Sequence, residues 1–275
     1  MKHVLFVGSV LLVLSLWAGC ATTTVVFSEG TPPHQSINAA LESNSLDMRL
    51  VSIIDAGSTD SYRGMTLTAY ALSETEVTQA DYETVRGSTG YFYLSGKGET
   101  HPEYSMSWYE AAEFCNNLSA MVGLEEVYDE STWEADFTRN GFYLPLEAQW
   151  EYAAGGPNHY RWSLGDTFNA LDYGFDDTQA RPVKSHPPNG FGLYDMTGSQ
   201  TEWCHDWYGE EYPHAGVTDP SGPATGSHRV ARGGLWNAND PRVMENDWRV
   251  DASEPWFSDH HLGFRVAAGG NGSWQ

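Results

Sequence analysis

Arg229-Val230-Ala231-Arg232-Gly233-Gly234-Leu235-Trp236 and, further along, Leu262-Gly263-Phe264-Arg265-Val266 bracket a stretch of mixed chemistry. Between these glycine-bearing anchors lie Asn237, Asp240, Met244, Asn246, Trp248, Asp251, Trp256, Phe257, His260 and His261. Flat aromatics give contact area at low entropic cost, and small polar groups give adaptable hydrogen bonds, so this is the composition of a recognition surface. An ordinary long loop is the plainer reading. Loops beyond about 12–15 residues are usually functional or disordered, and so many aromatics argue against disorder. A binding surface is expected here.

The start of the chain says where such a surface would be displayed. Lys2 precedes a short apolar run, Val4 to Trp17, which ends in Ala18-Gly19-Cys20. A charged tip, an apolar centre and small residues before a cut are the pattern of a secretory signal. The run is short for a bilayer span, which needs about 20 residues. Its end at a cysteine resembles a bacterial lipoprotein signal, which implies lipidation of Cys20 and a cell-surface or outer-membrane location. Trp17 departs from the smaller aliphatic usual three places before that cysteine. An exported protein with a coincidental cysteine is the alternative. Residues 20–47, with Thr22-Thr23-Thr24 and Ser28 to Pro33, read as a tether. A single domain is expected over 48–268, followed by a short tail at 269–275.

A formal net charge of −23 argues against nucleic acid and anionic lipid head groups as partners, since both attract clustered Lys and Arg. The acidity itself is explained by solubility. Beyond Cys20 the cysteines are Cys115 and Cys204, which read as buried small hydrophobes; outside the cytoplasm a disulfide between them is the alternative.

Few helices are expected. Thr78 and Asp81 make a capping-box-like start, with Tyr82 and Val85 on one face. Ser107 caps a second helix with Glu110 at its third position, and Trp108, Ala111, Ala112, Cys115 and Leu118 form its buried stripe. A third runs from about Pro145 to Ala154 and stops at Gly155-Gly156. Elsewhere glycine, aromatics and short apolar runs predict short strands joined by long connections. The fold class is α+β.

Those elements resemble the formylglycine-generating-enzyme (sulfatase-modifying factor) family. The matching blocks are Ser73 to Thr78, Ser107 to Cys115, Leu144 to Ala153, Asn189 to Gly198 with Glu202-Trp203, Arg232 to Gly234, and Leu262 to Arg265, in the family's order. The resemblance implies a C-type-lectin-like fold in its large, helix-containing form. It does not by itself imply the activity. The family's oxidases use two cysteines between the last two blocks to bind copper and handle the substrate thiol, chemistry that needs thiolates. Residues 229–267 hold no cysteine. Another branch binds iron through histidines, but here His205 is isolated, and the adjacent His260 and His261 would point apart on an extended backbone. No metal-binding spacing is apparent, and no cofactor is required. An enzyme is the least favoured of three readings.

Intact scaffold blocks without the cysteines resemble the variable proteins of diversity-generating retroelements, whose C-terminal segment is rewritten by adenine-directed errors. The resemblance implies that Arg232 to Trp236 opens this segment and Leu262 to Arg265 closes it. Adenine changes at Asn codons reach only some residue types, so Trp236, Met244, Glu245, Trp248 and Trp256 would be fixed, with Trp248 and Trp256 as fixed aromatic contacts. Ala231, Leu235, Asn237, Ala238, Asn239, Asp240, Val243, Asn246, Asp247, Val250, Asp251, Ser253, Phe257, Ser258, Asp259, His260 and His261 are the candidates to vary and to bind.

The leading expectation is a lipid-anchored, monomeric surface protein that binds a protein or glycan on another cell through this patch. A lectin-like lipoprotein of fixed specificity comes second. Sugar binding through a calcium-borne Glu-Pro-Asn motif finds no support, because Trp256 follows Glu254-Pro255. The family resemblance further implies a structural calcium ion held by the Asp195 and Glu202 side chains and the Gly198 and Gln200 carbonyls, although Ser199 and Thr201 depart from the family's residues. Pairing of Glu202 with a buried arginine is the alternative.

Overall fold

The computed structural model describes residues 3–7, 10–17, 20–24, 33–87, 96–173, 178–212, 215–249 and 253–269. His3–Val7 (β1), Val10–Trp17 (β2) and Cys20–Thr24 (β3) pair with one another as an antiparallel meander, a sheet of their own. This pairing is confined to the segment read above as an export signal and the start of the tether. Among the described residues, no helix is long and apolar enough to cross a membrane.

The tether expected over 20–47 is too long. Pro33–Ser43 is a helix (α1), and its Ile37, Ala40 and Leu41, spaced i, i+3, i+4, are buried together with Leu46. The compact part therefore includes residues from Pro33 onward, not only those from Met48.

Leu50–Tyr62 (β4) and Met65–Ser73 (β5) form the long hairpin of the main sheet, turning at Arg63-Gly64, where both residues have positive φ. Phe142–Tyr143 (β6) completes this sheet, in the order β4, β5, a C-terminal strand, β6. Gln79–Arg86 (α2) starts as expected, with the Thr78 hydroxyl accepting from the Asp81 backbone N–H, and it ends at Gly87 in the left-handed region. Trp108–Met121 (α3) carries the full capping box of Ser107 and Glu110. Its predicted stripe is buried, and Phe114 and Asn116 are buried too, so the helix is enclosed on more than one face. Glu147–Ala154 (α4) begins two residues after Pro145, and all of its residues are buried.

A second sheet displays the site. Thr201–Trp207 (β7) lies at its centre, antiparallel to Arg229–Arg232 (β8) and parallel to Leu262–Gly263 (β9). The chain then passes through Phe264, Arg265 and Val266 into Ala267–Ala268 (β10), which sits between β5 and β6 of the main sheet. The closing block of the sequence motif thus stitches the two sheets together. Trp108, Trp150, Trp203 and Phe264 fill the core between them, each fully buried. Cys115 and Cys204 are buried and free, so the alternative disulfide is not formed. The α+β expectation holds.

Candidate ligand-binding face

Two buried arginines fix the ends of the 229–267 segment. Arg265 is fully buried and grips Glu202 with two charge-assisted hydrogen bonds, Nε to Oε2 and Nη2 to Oε1, both 2.7 Å. Its remaining donors reach the carbonyls of Ser73 (3.1 Å) and Tyr194 (3.0 Å). Trp150 Nε1 donates to the same Glu202 carboxylate at 2.7 Å. Arg232, also fully buried, donates to Glu147 (3.0 Å) and Glu151 (2.7 Å) of α4. Its Nη1 reaches across to the main-chain oxygens of Asn246 (2.8 Å) and Trp248 (3.3 Å). Buried charges are costly unless paired and hydrogen-bonded, and here each guanidinium has both. Arg232 therefore binds the path of the loop, not its side chains.

Between the anchors, Gly234 has φ of +77°, and a side chain there would meet Met244 Cγ at 2.8 Å and the Val243 carbonyl at 2.9 Å. Only glycine allows that turn and that approach. Trp236 is buried, as expected, and its backbone N–H donates to the Ser199 carbonyl at 2.8 Å. A second small core of Trp162, Tyr173, Ala238 and Met244 lies beneath this part of the segment, with Leu235 and Val243 packed half-buried against it.

The later part, 253–262, is held differently. The carbonyls of Ser253, Pro255, Asp259 and His261 accept from the backbone N–H groups of Arg229 (2.9 Å), Trp108 (2.9 Å), Ser105 (3.1 Å) and Thr201 (2.8 Å). All four donors lie outside the loop. Several of its side chains are left free to face solvent. Trp256 is 66% exposed and Phe257 38%, with Ser258 exposed between Phe257 and the turn that follows. Of the five exposed large apolar side chains among the described residues, three (Trp248, Trp256, Phe257) fall in this one segment. Trp256 and Phe257, adjacent in the chain and both exposed, offer apolar area of the kind that marks interaction surfaces.

The candidate positions sort as follows. Asn237, Asn239, Asp247, Trp248, Trp256, Phe257 and Ser258 are exposed, and Leu235, Asp240, Val243, Ser253, Asp259, His260 and His261 are half-buried. Asn237 Nδ2 lies 3.0 Å from His261 Nε2, which joins the 235–240 turn to the 259–261 turn. Asp247 and Trp248 lie at the other end, where Asp247 pairs with Arg63 at 3.3 Å. Asp240 caps the turn at Pro241–Met244 and binds Arg242, whose hydrogen bonds pull its carboxyl down to about 2. Three candidates are corrected. Ala231 is buried in β8 and Ala238 in the second core. Asn246 is buried with its amide donating to the Tyr160 carbonyl (2.8 Å) and its Oδ1 3.3 Å from the Thr197 hydroxyl. Codon reach says nothing about burial, and these three serve the scaffold. Val250 and Asp251 lie outside the described residues.

Of the proposed calcium ligands, Glu202 is already engaged by a buried arginine. Both Glu202 oxygens already accept from Arg265, the alternative weighed from the sequence. The Asp195 carboxylate accepts from the Lys184 backbone N–H at 2.8 Å. Gln200 is buried, with both side-chain polar atoms unpartnered. Beside this group Glu76 is fully buried; burial, then Asp195 and Glu202, push its carboxyl well above the ordinary range. One guanidinium, that of Arg265, faces three carboxylates here, Glu202, Glu76 and Asp195.

The histidine expectation is also corrected. His260 and His261 do not point apart, for their ring centroids are 3.7 Å apart. They sit in a turn, not a strand, because the Asp259 carboxylate accepts from the His261 backbone N–H at 2.9 Å.

Sequence reasoning missed Arg249. It binds Glu147 through Nε (2.6 Å) and Nη2 (2.9 Å), and it lines a cavity of about 410 Å³ with Trp207, Tyr212, Pro220 and Pro223. The paired aromatics Trp207-Tyr208 and the proline-rich 220–223 turn were the available signal.

The fold that carries this face is one that known proteins share. A family model described as "Sulfatase-modifying factor enzyme 1-like domain" matches residues 45–269. The chain belongs to this family. Its formylglycine-generating type of C-type-lectin-like fold accords with the solved structure of Treponema denticola variable protein 1, which superposes with a TM-score of 0.67 at 31% identity, covering 80% of this chain and 95% of that one. The formylglycine-generating enzyme of Streptomyces coelicolor is 38% identical over 150 residues, 46% of each chain. A Chlamydia caviae protein named serine/threonine-protein kinase pkn1 is 32% identical over 176 residues, 62% of this chain and 24% of the relative. The chain thus spans between a quarter and a half of the length of these two curated relatives.

Proposed function

We propose that this sulfatase-modifying-factor-type domain is a ligand-binding protein whose 235–261 face is diversified by a retroelement, as in a variable protein, and that Cys20 anchors it by lipid at the bacterial cell surface. The observation that carries this reading is the fastening of the 253–262 loop through its own carbonyls, by donors from outside it, while Trp256, Phe257 and Ser258 face solvent. Every residue type has a carbonyl, so side chains in such a loop can change without loss of its anchors. The likeness to Treponema denticola variable protein 1 supports it. The ligand is a protein or glycan on another cell. An oxidase role would lack the thiols that chemistry needs, since residues 229–267 contain no cysteine.

Sequencing the locus in clonal descendants tests the central claim. Codons 235–261 should differ at adenine-derived positions, with 229–234 and 262–267 constant and a template repeat and reverse transcriptase nearby. An invariant locus without either would overturn diversification. Cys20→Ala should move the protein out of the detergent phase in Triton X-114 partitioning, and unchanged partitioning would remove the anchor from the proposal.

A binder of fixed specificity is the second reading. The cavity beside Arg249 favours it, because Trp207, Tyr212, Pro220 and Pro223 all lie outside the diversified segment. An invariant locus with retained binding would select it.

A further inference from the structure

The turn that overturns the histidine expectation also assembles a set of metal donors. We propose that Asp259, His260 and His261 bind a divalent transition-metal ion of the zinc, nickel or copper class at the surface of the candidate face. The three side chains each offer a donor atom, all within 4.8 Å of one another. His261 Nδ1 hydrogen-bonds to Asp259 Oδ1 at 2.8 Å, and His260 Nδ1 stands 3.5 Å from the same oxygen. Around an ion with bonds of about 2.0–2.2 Å and tetrahedral angles, donor atoms stand about 3.4 Å apart. The two measured separations straddle that value, so small side-chain rotations bring the set around an ion.

The donor types choose the ion. Two imidazole nitrogens with one carboxylate suit zinc, nickel and copper, and affinity rises towards copper along the first-row series. Calcium and magnesium take oxygen ligands and are disfavoured. Three protein donors leave coordination positions open. The side chains are partly exposed, His260 41%, Asp259 36% and His261 21%, so those positions face solvent.

The surrounding contacts hold the turn ready. The Asp259 carbonyl accepts from both Ser105 and Leu262, and the His261 carbonyl from Thr201. The His261 ring lies against Trp236, with centroids 5.1 Å apart. Asn237 stands 3.0 Å from His261 Nε2. Amide oxygen and nitrogen are interchangeable by rotation, so Asn237 can accept from Nε2–H when Nδ1 binds the ion, the outer-shell contact that orients metal-bound histidines. Asn237, Asp259, His260 and His261 lie within the face proposed to vary, so the site belongs to the version of the face this sequence carries, and metal titration of this chain tests it separately from sequencing of the locus.

The untagged full chain, titrated calorimetrically with zinc chloride and with nickel chloride, should bind a single ion saturably and give no such response to calcium chloride. His260→Ala, whose ring makes no hydrogen bond to the scaffold among the described residues, should weaken zinc binding at least about tenfold with the melting temperature unchanged in the absence of metal. His260→Ala/His261→Ala should abolish saturable binding, and Asn237→Ala should weaken it by about tenfold. Cobalt loading supplies a second readout, a visible ligand-field band in the wild type that is lost in His260→Ala. Absence of saturable zinc binding, or wild-type affinity in the double variant, would overturn the assignment.

Discussion

Two parts of one segment are held to the same scaffold by opposite means. At Arg232, Asn246 and Arg265 the side chains do the holding: two guanidiniums and one amide reach buried carboxylates and carbonyls. Across 253–262 the main chain is held, and at Trp256, Phe257 and Ser258 the side chains point to solvent. The first mode locks residue identity, because only that side chain can make those bonds. The second locks path and leaves identity open. Position in the primary structure does not separate the two modes, for buried Asn246 and exposed Asp247 are neighbours.

The sharpest way to break this contrast is to remove a locked side chain. Arg265→Ala leaves the Glu202 carboxylate buried and unpaired, and should cost about 3–5 kcal/mol in chemical denaturation. A loss below about 1 kcal/mol would show that the anchor is dispensable. Asn246→Ala should cost about 1–3 kcal/mol, since it removes a buried amide bonded to the Tyr160 carbonyl and the Thr197 hydroxyl; neutrality here would return Asn246 to the variable set. A pH series adds a test of the scaffold alone. Burial, reinforced by Arg229, lowers the His205 imidazole to about 3. Between that value and the ordinary 6.5, the unfolded chain binds the extra proton, so stability falls as pH falls through this window, by up to about 1.4 kcal/mol per pH unit from this group. His205→Gln should show a shallower acid slope than the wild type, and parallel slopes would count against the assignment. The smallest effects belong to the open mode: Trp256→Ser and Phe257→Ser should each shift stability by under about 1 kcal/mol, and Ser258→Asn by under about 0.5 kcal/mol. If either aromatic is a contact hot spot, its truncation would still cost about 2 kcal/mol of binding.

Local signals in the sequence proved good guides. Thr78 and Ser107 cap α2 and α3 as read, Trp236 and Phe264 turn inward, and Arg265 finds a carboxylate. These depend on neighbours in the chain or on motif blocks in family order. Non-local features escaped. Arg249 and Glu147 are 102 positions apart, and nothing in either neighbourhood advertises the pair. Helix α1 was hidden by the Ser/Thr/Pro-rich composition just upstream, although Ile37, Ala40 and Leu41 carried its period. The histidines were misjudged because an extended backbone was assumed, whereas the Asp259 carboxylate bends the chain beneath them. Ala231 and Ala238 show a different gap: a small apolar residue fits a buried strand and an exposed loop equally well, and only packing decides.

The carbonyls that fasten the 253–262 loop have a combinatorial consequence. A carbonyl is present whichever amino acid occupies the position, proline included, as Pro255 itself demonstrates. Random draws at Phe257 and Ser258 should then yield folded protein nearly every time. In a library built on this loop, the fraction of productive members is set by what the new side chains touch, and folding removes almost none of them.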